Sequence, residues 1–330
     1  MKIYLIGTSN SIFKRGYSAG IAESEGVEYF LKGSMGASPS IIIPYFLSKV
    51  DIGAFDWLVI DTAINDRNYY IFNSIKARQI REFISYGITT AINAGCRPFL
   101  LLMPFLKGFG KQTVSRKIYY ELSDKYYIPI LDGFEFIETY ATAQKLSIES
   151  CFKDEFHVLP EIAYLMGKEV VRRIKDNVFR VNFLPLKFDY RVINLSSQSR
   201  EFITRINSLT RNEFVIIDDE NKISINLNRN EKICGLVYNA ATTFGSLRIH
   251  KKKEHIKELT TKYFNQNKKH LVIASPITHE IYTKYGNVTL SLAQDDARPT
   301  EPSRFSNYHF DLKCHRRLEI ESLIVKIDES

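Results

Sequence analysis

Four short stretches in the first half of this 330-residue chain hold residue types that together support nucleophilic acyl chemistry. They are Gly7-Thr8-Ser9-Asn10-Ser11, Gly33-Ser34-Met35-Gly36-Ala37-Ser38, Asp61-Thr62-Ala63-Ile64-Asn65-Asp66 and Asp154-Glu155-Phe156-His157. A serine hydroxyl is a weak nucleophile until a base takes its proton, and histidine is the usual base. Ser9 and His157 fit those two roles. Asp154, three residues before His157, is placed to bond one ring nitrogen and fix the tautomer, leaving the other nitrogen for the serine. Attack on an ester carbonyl builds an oxyanion, which needs donors already aimed at it. The backbone N–H groups of Ser9 and Gly36 and the side-chain amide of Asn65 supply three. Gly36 has no Cβ to block a close approach.

Each of these residues also has an ordinary reading. Ser9 following a strand is a turn or cap residue, Asn65 an Asx-turn residue, Asp66 and Asp154 caps, and His157 a surface histidine. Gly33 rivals Gly36, which is preferred because Ala37-Ser38 follows it; Ser11 reads as structural. Tyr69, Tyr70, Phe105, Phe109 and Tyr119 are left to core packing. What singles the set out is four segments in one order at the ends of regular elements.

Those elements alternate. Short apolar runs at Ile3–Ile6, Phe55–Asp61, Pro98–Pro104 and Ile128–Asp132 read as strands of a buried parallel sheet. Helical stretches are expected from about Tyr70 to Ala94 (ended by Gly95), Ser115 to Tyr126 and Pro160 to Lys175. The last carries Ile162, Leu165, Met166 and Val170 on one face. This is an α/β pattern with helices on both sides of a parallel sheet. In such a sheet, loops at the carboxyl ends of the strands converge on one crevice.

From about residue 178 the period changes to two. Runs at Val178–Leu184, Phe188–Leu195, Lys222–Leu227, Cys234–Tyr238, Ser246–Ile249, Leu271–Ala274 and Leu318–Ile327 predict an antiparallel, sandwich-like region, interrupted by one helix at about Lys252–Phe264. Two domains are expected, residues 1–177 and 178–330.

Composition narrows the class. With 45% hydrophobic and 25% charged residues, the chain has the balance of a folded protein. No apolar run approaches the roughly 20 residues that span a bilayer, and no signal peptide is legible at Met1–Gly7. The cytoplasm is the expected location. Cys96, Cys151, Cys234 and Cys314 form no close pair, and neither they nor the seven histidines show metal-ligand spacing, so free thiols and no metal are expected. A net charge of +8 admits a polyanionic partner, yet Lys251-Lys252-Lys253 reads as a solvated helix face and no nucleic-acid partner is expected.

Over residues 1 to about 175 the four segments resemble those of the SGNH, or GDSL, hydrolases. Gly7-Thr8-Ser9 is similar to that family's nucleophile block, Gly36-Ala37-Ser38 to its glycine block, Asn65-Asp66 to its asparagine block, and Asp154-x-x-His157 to its last block. Thr8 stands where the family usually has aspartate. The resemblance implies a three-layer α/β/α domain and an acyl-serine mechanism on esters. It makes Ser9 the nucleophile, with Asp154 and His157 completing the triad and Ser9, Gly36 and Asn65 forming the oxyanion hole. The expected chemistry is on O-acetyl groups of a carbohydrate. An esterase would need no cofactor, and an O-acetyltransferase would draw on acetyl-CoA as donor; the alternative is a glycan-binding protein that kept the fold without catalysis.

Overall fold

A computed structural model describes residues 1–177, 184–185, 187–199, 201–206, 210–250, 254–265, 270–282, 286–304 and 315–328. The chain divides into two compact units, one made of Met1–Tyr70 with Ala77–Leu186, the other of Ile71–Lys76 with Lys187–Ser330. The short segment 71–76 thus groups with the second unit, although the expected boundary lay only at 177/178.

In the first unit the order is β1 (Lys2–Gly7), α1 (Ser9–Ile12), α2 (Tyr17–Ala22), β2 (Tyr29–Ser34), α3 (Ile42–Leu47), β3 (Trp57–Asp61), α4 (Ala63–Ile71), α5 (Ala77–Asn93) and β4 (Arg97–Leu102). It continues with α6 (Val114–Tyr126), β5 (Ile130–Asp132), α7 (Gly133–Gln144), β6 (Phe152–Asp154), β7 (His157–Val158) and α8 (Pro160–Asp176). Five parallel strands lie in the order β2-β1-β3-β4-β5. The chain moves one way from β1 to β2 and the other way from β2 to β3 onward. Right-handed crossovers therefore send the intervening helices to opposite faces. The helix contacts follow this division: α2 packs on α8, while α3 packs on α5 and α5 on α6. Strand β3 is buried along its whole length, as a central parallel strand must be.

Two expected helical features differ. The stretch 70–94 is not continuous: α4 stops at Ile71 and α5 starts at Ala77, with Asn73 between them in the left-handed region (φ 52°), which no α-helix continues through. Gly95, at φ 80°, ends α5 as expected. On α8, Ile162, Met166 and Val170 are buried, but Leu165 is 43% exposed. At 100° per residue it lies well off the centre of the stripe that the other three define.

The second unit contains β8 (Phe188–Asn194), β9 (Ile203–Ile206), β10 (Arg211–Ile217), β11 (Ile223–Leu227), β12 (Glu231–Asn239), β13 (Ser246–His250), β14 (Glu254–Glu258), β15 (Val272–Tyr282), β16 (Gly286–Leu292) and β17 (Leu318–Asp328). One antiparallel sheet runs β15-β12-β17-β10-β9, with β8 paired to the second half of β17; the other runs β11-β16-β13-β14. The expected helix at 252–264 is instead strand β14, hairpin-paired to β13 from Ser246↔Glu258 to His250↔Glu254. Its Lys/Glu-rich sequence has helical propensity, and cross-strand pairing overrides that weak local preference. The Val178–Leu184 run lies outside the described residues except at its last position, and Lys251–Lys253 and Cys314 lie outside them. Cys96, Cys151 and Cys234 are buried free thiols.

Candidate active site

The strand register brings three of the four segments together. Gly7 at the end of β1 sits opposite Ser34 at the end of β2 on one side and Asp61 at the end of β3 on the other. The loops holding Ser9, Gly36 and Asn65 therefore leave the sheet side by side, where strand order reverses about β1. Ser9 opens α1, with Thr8 as the extended residue before it. The fourth segment is the β6–β7 hairpin, and Asn10 ties it to α1 by donating from Nδ2 to the Phe156 carbonyl at 3.3 Å.

Ser9 Oγ lies 3.2 Å from His157 Nε2, and His157 Nδ1 lies 2.8 and 2.9 Å from the two oxygens of Asp154. Partial burial pushes the Asp154 carboxyl upward. The Phe156 N–H (2.9 Å) and the contacts with His157 outweigh it, so the carboxyl titrates below its ordinary value and stays ionised near neutrality. Phe13 packs edge-on against the His157 ring, with centroids 5.2 Å apart, and fixes the plane in which the ring turns. Lys107 pairs with Glu155 at 2.9 Å and the Leu106 N–H donates to the Glu155 carbonyl, anchoring the far side of the hairpin.

Gly36 lies in the turn after β2, and a Cβ built on it would sit 3.9 Å from Ser9 Cβ. The next residue, Ala37, has φ 61°, an uncommon conformation for a residue with a side chain. Asn65 donates from Nδ2 to the Ser38 carbonyl at 3.0 Å; an amide nitrogen has two protons, so one remains for another acceptor. Gly33 lies elsewhere: it is a β2 residue, and a Cβ there would lie 2.6 Å from the Phe46 ring and 2.7 Å from the Tyr4 hydroxyl. Gly33→Ala is expected to destabilise the chain by about 1–3 kcal/mol through overpacking. Gly36→Ala, whose nearest contact would be 3.6 Å, should change stability by less than about 0.5 kcal/mol. Parallel denaturant titrations check the pair.

Near the site lie buried polar groups that the sequence reading gave no part in it. Ser11 donates to the Thr8 carbonyl and shares a 2.6 Å bond with Ser34. Tyr17 donates to Asp61 Oδ2 at 2.6 Å, while Asp61 Oδ1 has no hydrogen-bond partner among the described residues. Asp66 accepts from the Ser40 N–H (2.7 Å) and the Thr62 hydroxyl (2.8 Å), and so locks the 38–40 turn to the start of α4. Tyr119, fully buried, accepts from the Thr62 N–H at 2.8 Å. Tyr69 and Phe105 are buried too, whereas Tyr70 is exposed. Only the polar end of β3 hinted at this layer; nothing local marks Tyr17 or Tyr119 as its partners.

Burial raises the Asp61 carboxyl to about 7, with the Tyr17 bond opposing and the Asp66 charge adding; burial likewise raises Asp66 to about 6. In the unfolded chain both release their protons near 4. Between pH 4 and 7 the folded chain therefore holds more protons, and stability falls as pH rises through that window, levelling above 7. Denaturant midpoints at pH 4.5 and 7.5 should differ less in Asp61→Asn than in the native protein.

No group of three or more His, Cys, Asp or Glu side chains able to hold a metal occurs among the described residues. Nor is any helix there long and apolar enough to cross a membrane.

The first unit is thus a five-stranded parallel sheet with flanking helices, with the four segments converging at its strand ends, and antiparallel sheets make up the second. The whole chain superimposes on a structure described as a two-domain esterase (CEX) active on acetylated mannans, co-crystallized with mannopentaose. The TM-score is 0.64 at 10% identity, covering 100% of this chain and 91% of that one. A second structure of a protein so described, without the mention of mannopentaose, matches at TM-score 0.61 and 10% identity, over 100% and 92%. At this identity the likeness is one of fold. No protein-family model and no curated protein matches the chain.

Proposed function

We propose that the protein is an acyl-serine esterase that removes acetyl groups from a carbohydrate. The observation that carries this reading is the Ser9–His157–Asp154 chain, 3.2 and 2.8 Å link to link, at the carboxyl end of a parallel sheet. With Nδ1–H held by Asp154, Nε2 is the basic nitrogen and accepts the Ser9 proton as Oγ bonds to the ester carbonyl carbon. The carbonyl oxygen becomes an oxyanion, received by the N–H groups of Ser9 and Gly36 and the second Nδ2 proton of Asn65. Collapse breaks the bond to the sugar oxygen, which leaves with the proton from His157. Water, deprotonated by His157, then attacks the acetyl-serine and releases acetate. The O-acetyl carbohydrate class is supported by the fold shared along the full length with an esterase described as active on acetylated mannans.

The test is acetate release from 4-nitrophenyl acetate and from acetylated oligosaccharides. Turnover unaffected by acetyl-CoA or by added sugar acceptor supports the hydrolase; an acceptor-dependent rate with coenzyme A release would make the protein a transferase instead. No turnover, with salt-sensitive glycan binding, would favour the binding-protein alternative. Asp154→Asn, which presents the wrong hydrogen-bonding partner to Nδ1, is expected to lower kcat by about 10^4-fold. Single-turnover kinetics on the activated ester would measure it.

A further inference from the structure

Helices α2 and α8 cross at backbone contact. A Cβ on Gly20 would lie 2.0 Å from the Tyr164 carbonyl oxygen, and one on Gly167 would lie 2.1 Å from the Tyr17 carbonyl oxygen. On the flank of this crossing opens a cleft of about 720 Å3, lined by Arg15, Ala19 and Glu23 on one side and by Glu161, Tyr164 and Leu165 on the other. That volume falls in the range of small-molecule sites.

Two links attach the cleft to the triad. Pro160, also on its wall, follows His157 by three residues, which limits their Cα separation to about 11 Å. Arg15 follows Phe13 by two, and the Phe13 ring packs on His157. The lining mixes apolar surface with charge of both signs. Leu165 is a large apolar residue of α8 that the core leaves out, at 43% exposure. Tyr164 is braced as a wall, its hydroxyl donating to Glu23 Oε2 at 3.0 Å and Lys168 Nζ 5.3 Å from its ring centre. The side chains of Arg15 and Glu161 enter no hydrogen bond or ion pair among the described residues.

An alkyl chain would gain nothing from a guanidinium and a carboxylate at its flanks. A pyranose presents C–H faces to leucine and tyrosine and a fringe of hydroxyls to charged groups. We infer that this cleft is a subsite for the sugar units adjoining the one that bears the reacting ester, so that Arg15, Glu161, Tyr164 and Leu165 select for a glycan chain. The inference rests on the acyl-serine reading above.

The test compares 4-nitrophenyl acetate with acetylated manno- and xylo-oligosaccharides in the native protein, in Ala19→Phe, which fills the cleft, and in Arg15→Ala/Glu161→Ala, which strips its polar rim. The expected result is a roughly tenfold loss of kcat/KM on the better oligosaccharide in both variants, carried mainly by KM. Turnover of the small ester should stay within about twofold. Unchanged oligosaccharide kinetics in both variants would overturn the inference, and so would an equal loss on both substrates. Turnover of the small ester by the native protein with none on either oligosaccharide would overturn it too, while leaving the acyl-serine reading standing. No turnover of any ester would remove that reading and the inference with it.

Discussion

Ser9→Ala is expected to lower kcat on an activated acetyl ester by about 10^4- to 10^6-fold, with folding intact. The serine is partly exposed at the start of α1, and its Oγ has one side-chain partner, His157 Nε2 at 3.2 Å. Removing that oxygen leaves no cavity in the core and no buried group unpaired, so stability should move by less than about 0.5 kcal/mol. The proposed oxyanion donors, backbone N–H groups and the Asn65 amide, are not touched by the substitution. A residual rate above that of water is therefore expected. In the proposed mechanism Ser9 and His157 serve one proton transfer, so Ser9→Ala/His157→Ala should be scarcely slower than either single variant. Burst and steady-state measurements on all three, beside their circular dichroism, decide the point. Turnover that survives Ser9→Ala would remove the nucleophile assignment.

The second large effect is on stability. Gly167→Val is expected to destabilise the first unit by at least about 3 kcal/mol. The new Cβ would fall 2.1 Å from the Tyr17 carbonyl oxygen and 2.8 Å from the Ile21 nitrogen, which are backbone atoms that no rotamer change moves aside. Gly20 faces it across the crossing under the same constraint. Relief requires α2 and α8 to separate, which loosens the packing of buried Ile21, Met166 and Val170. In a unit of this size each kcal/mol shifts Tm by about 2–4 °C, so a fall of about 6–12 °C is expected by calorimetry. Activity should fall with it, well below the melting transition. Helix α8 begins three residues after His157, and α2 begins eight residues after Ser9, so spreading the helices pulls the 3.2 Å serine–histidine contact apart. A Gly167→Val protein with native Tm would show that the close crossing is not needed.

Much of this molecule is legible along the chain. The continuous apolar run Trp57–Ile60 is a strand covered on both faces, as its length and place in the alternating pattern indicate, and Gly95 stops α5 because a left-handed residue there closes the helix. The candidate site residues stand out because their chemistry depends on residue type and short spacing: Asp154 reaches His157 Nδ1 within one hairpin turn, so that pair is a local matter. What failed was also local in origin. The Lys/Glu-rich stretch around 254–258 has helix-forming residues, and only the partner strand β13 makes it extended; Leu165 sits close enough in sequence to a buried stripe to be mistaken for part of it.

Tertiary structure alone decided everything that depends on distant residues meeting. The alignment of Gly7 with both Ser34 and Asp61 follows from sheet register, and no spacing in the sequence encodes that register by itself. Tyr17 reaches Asp61 across 44 residues, and Ser9 reaches His157 across 148. Nothing in the local sequence marks Gly20 and Gly167, whose constraint comes from the crossing of α2 and α8. The residue types carried the chemistry, because that depends on which groups the chain contains. Their convergence came from packing, because a contact between remote segments is a property of how buried surfaces fit and not of the order in which residues are joined.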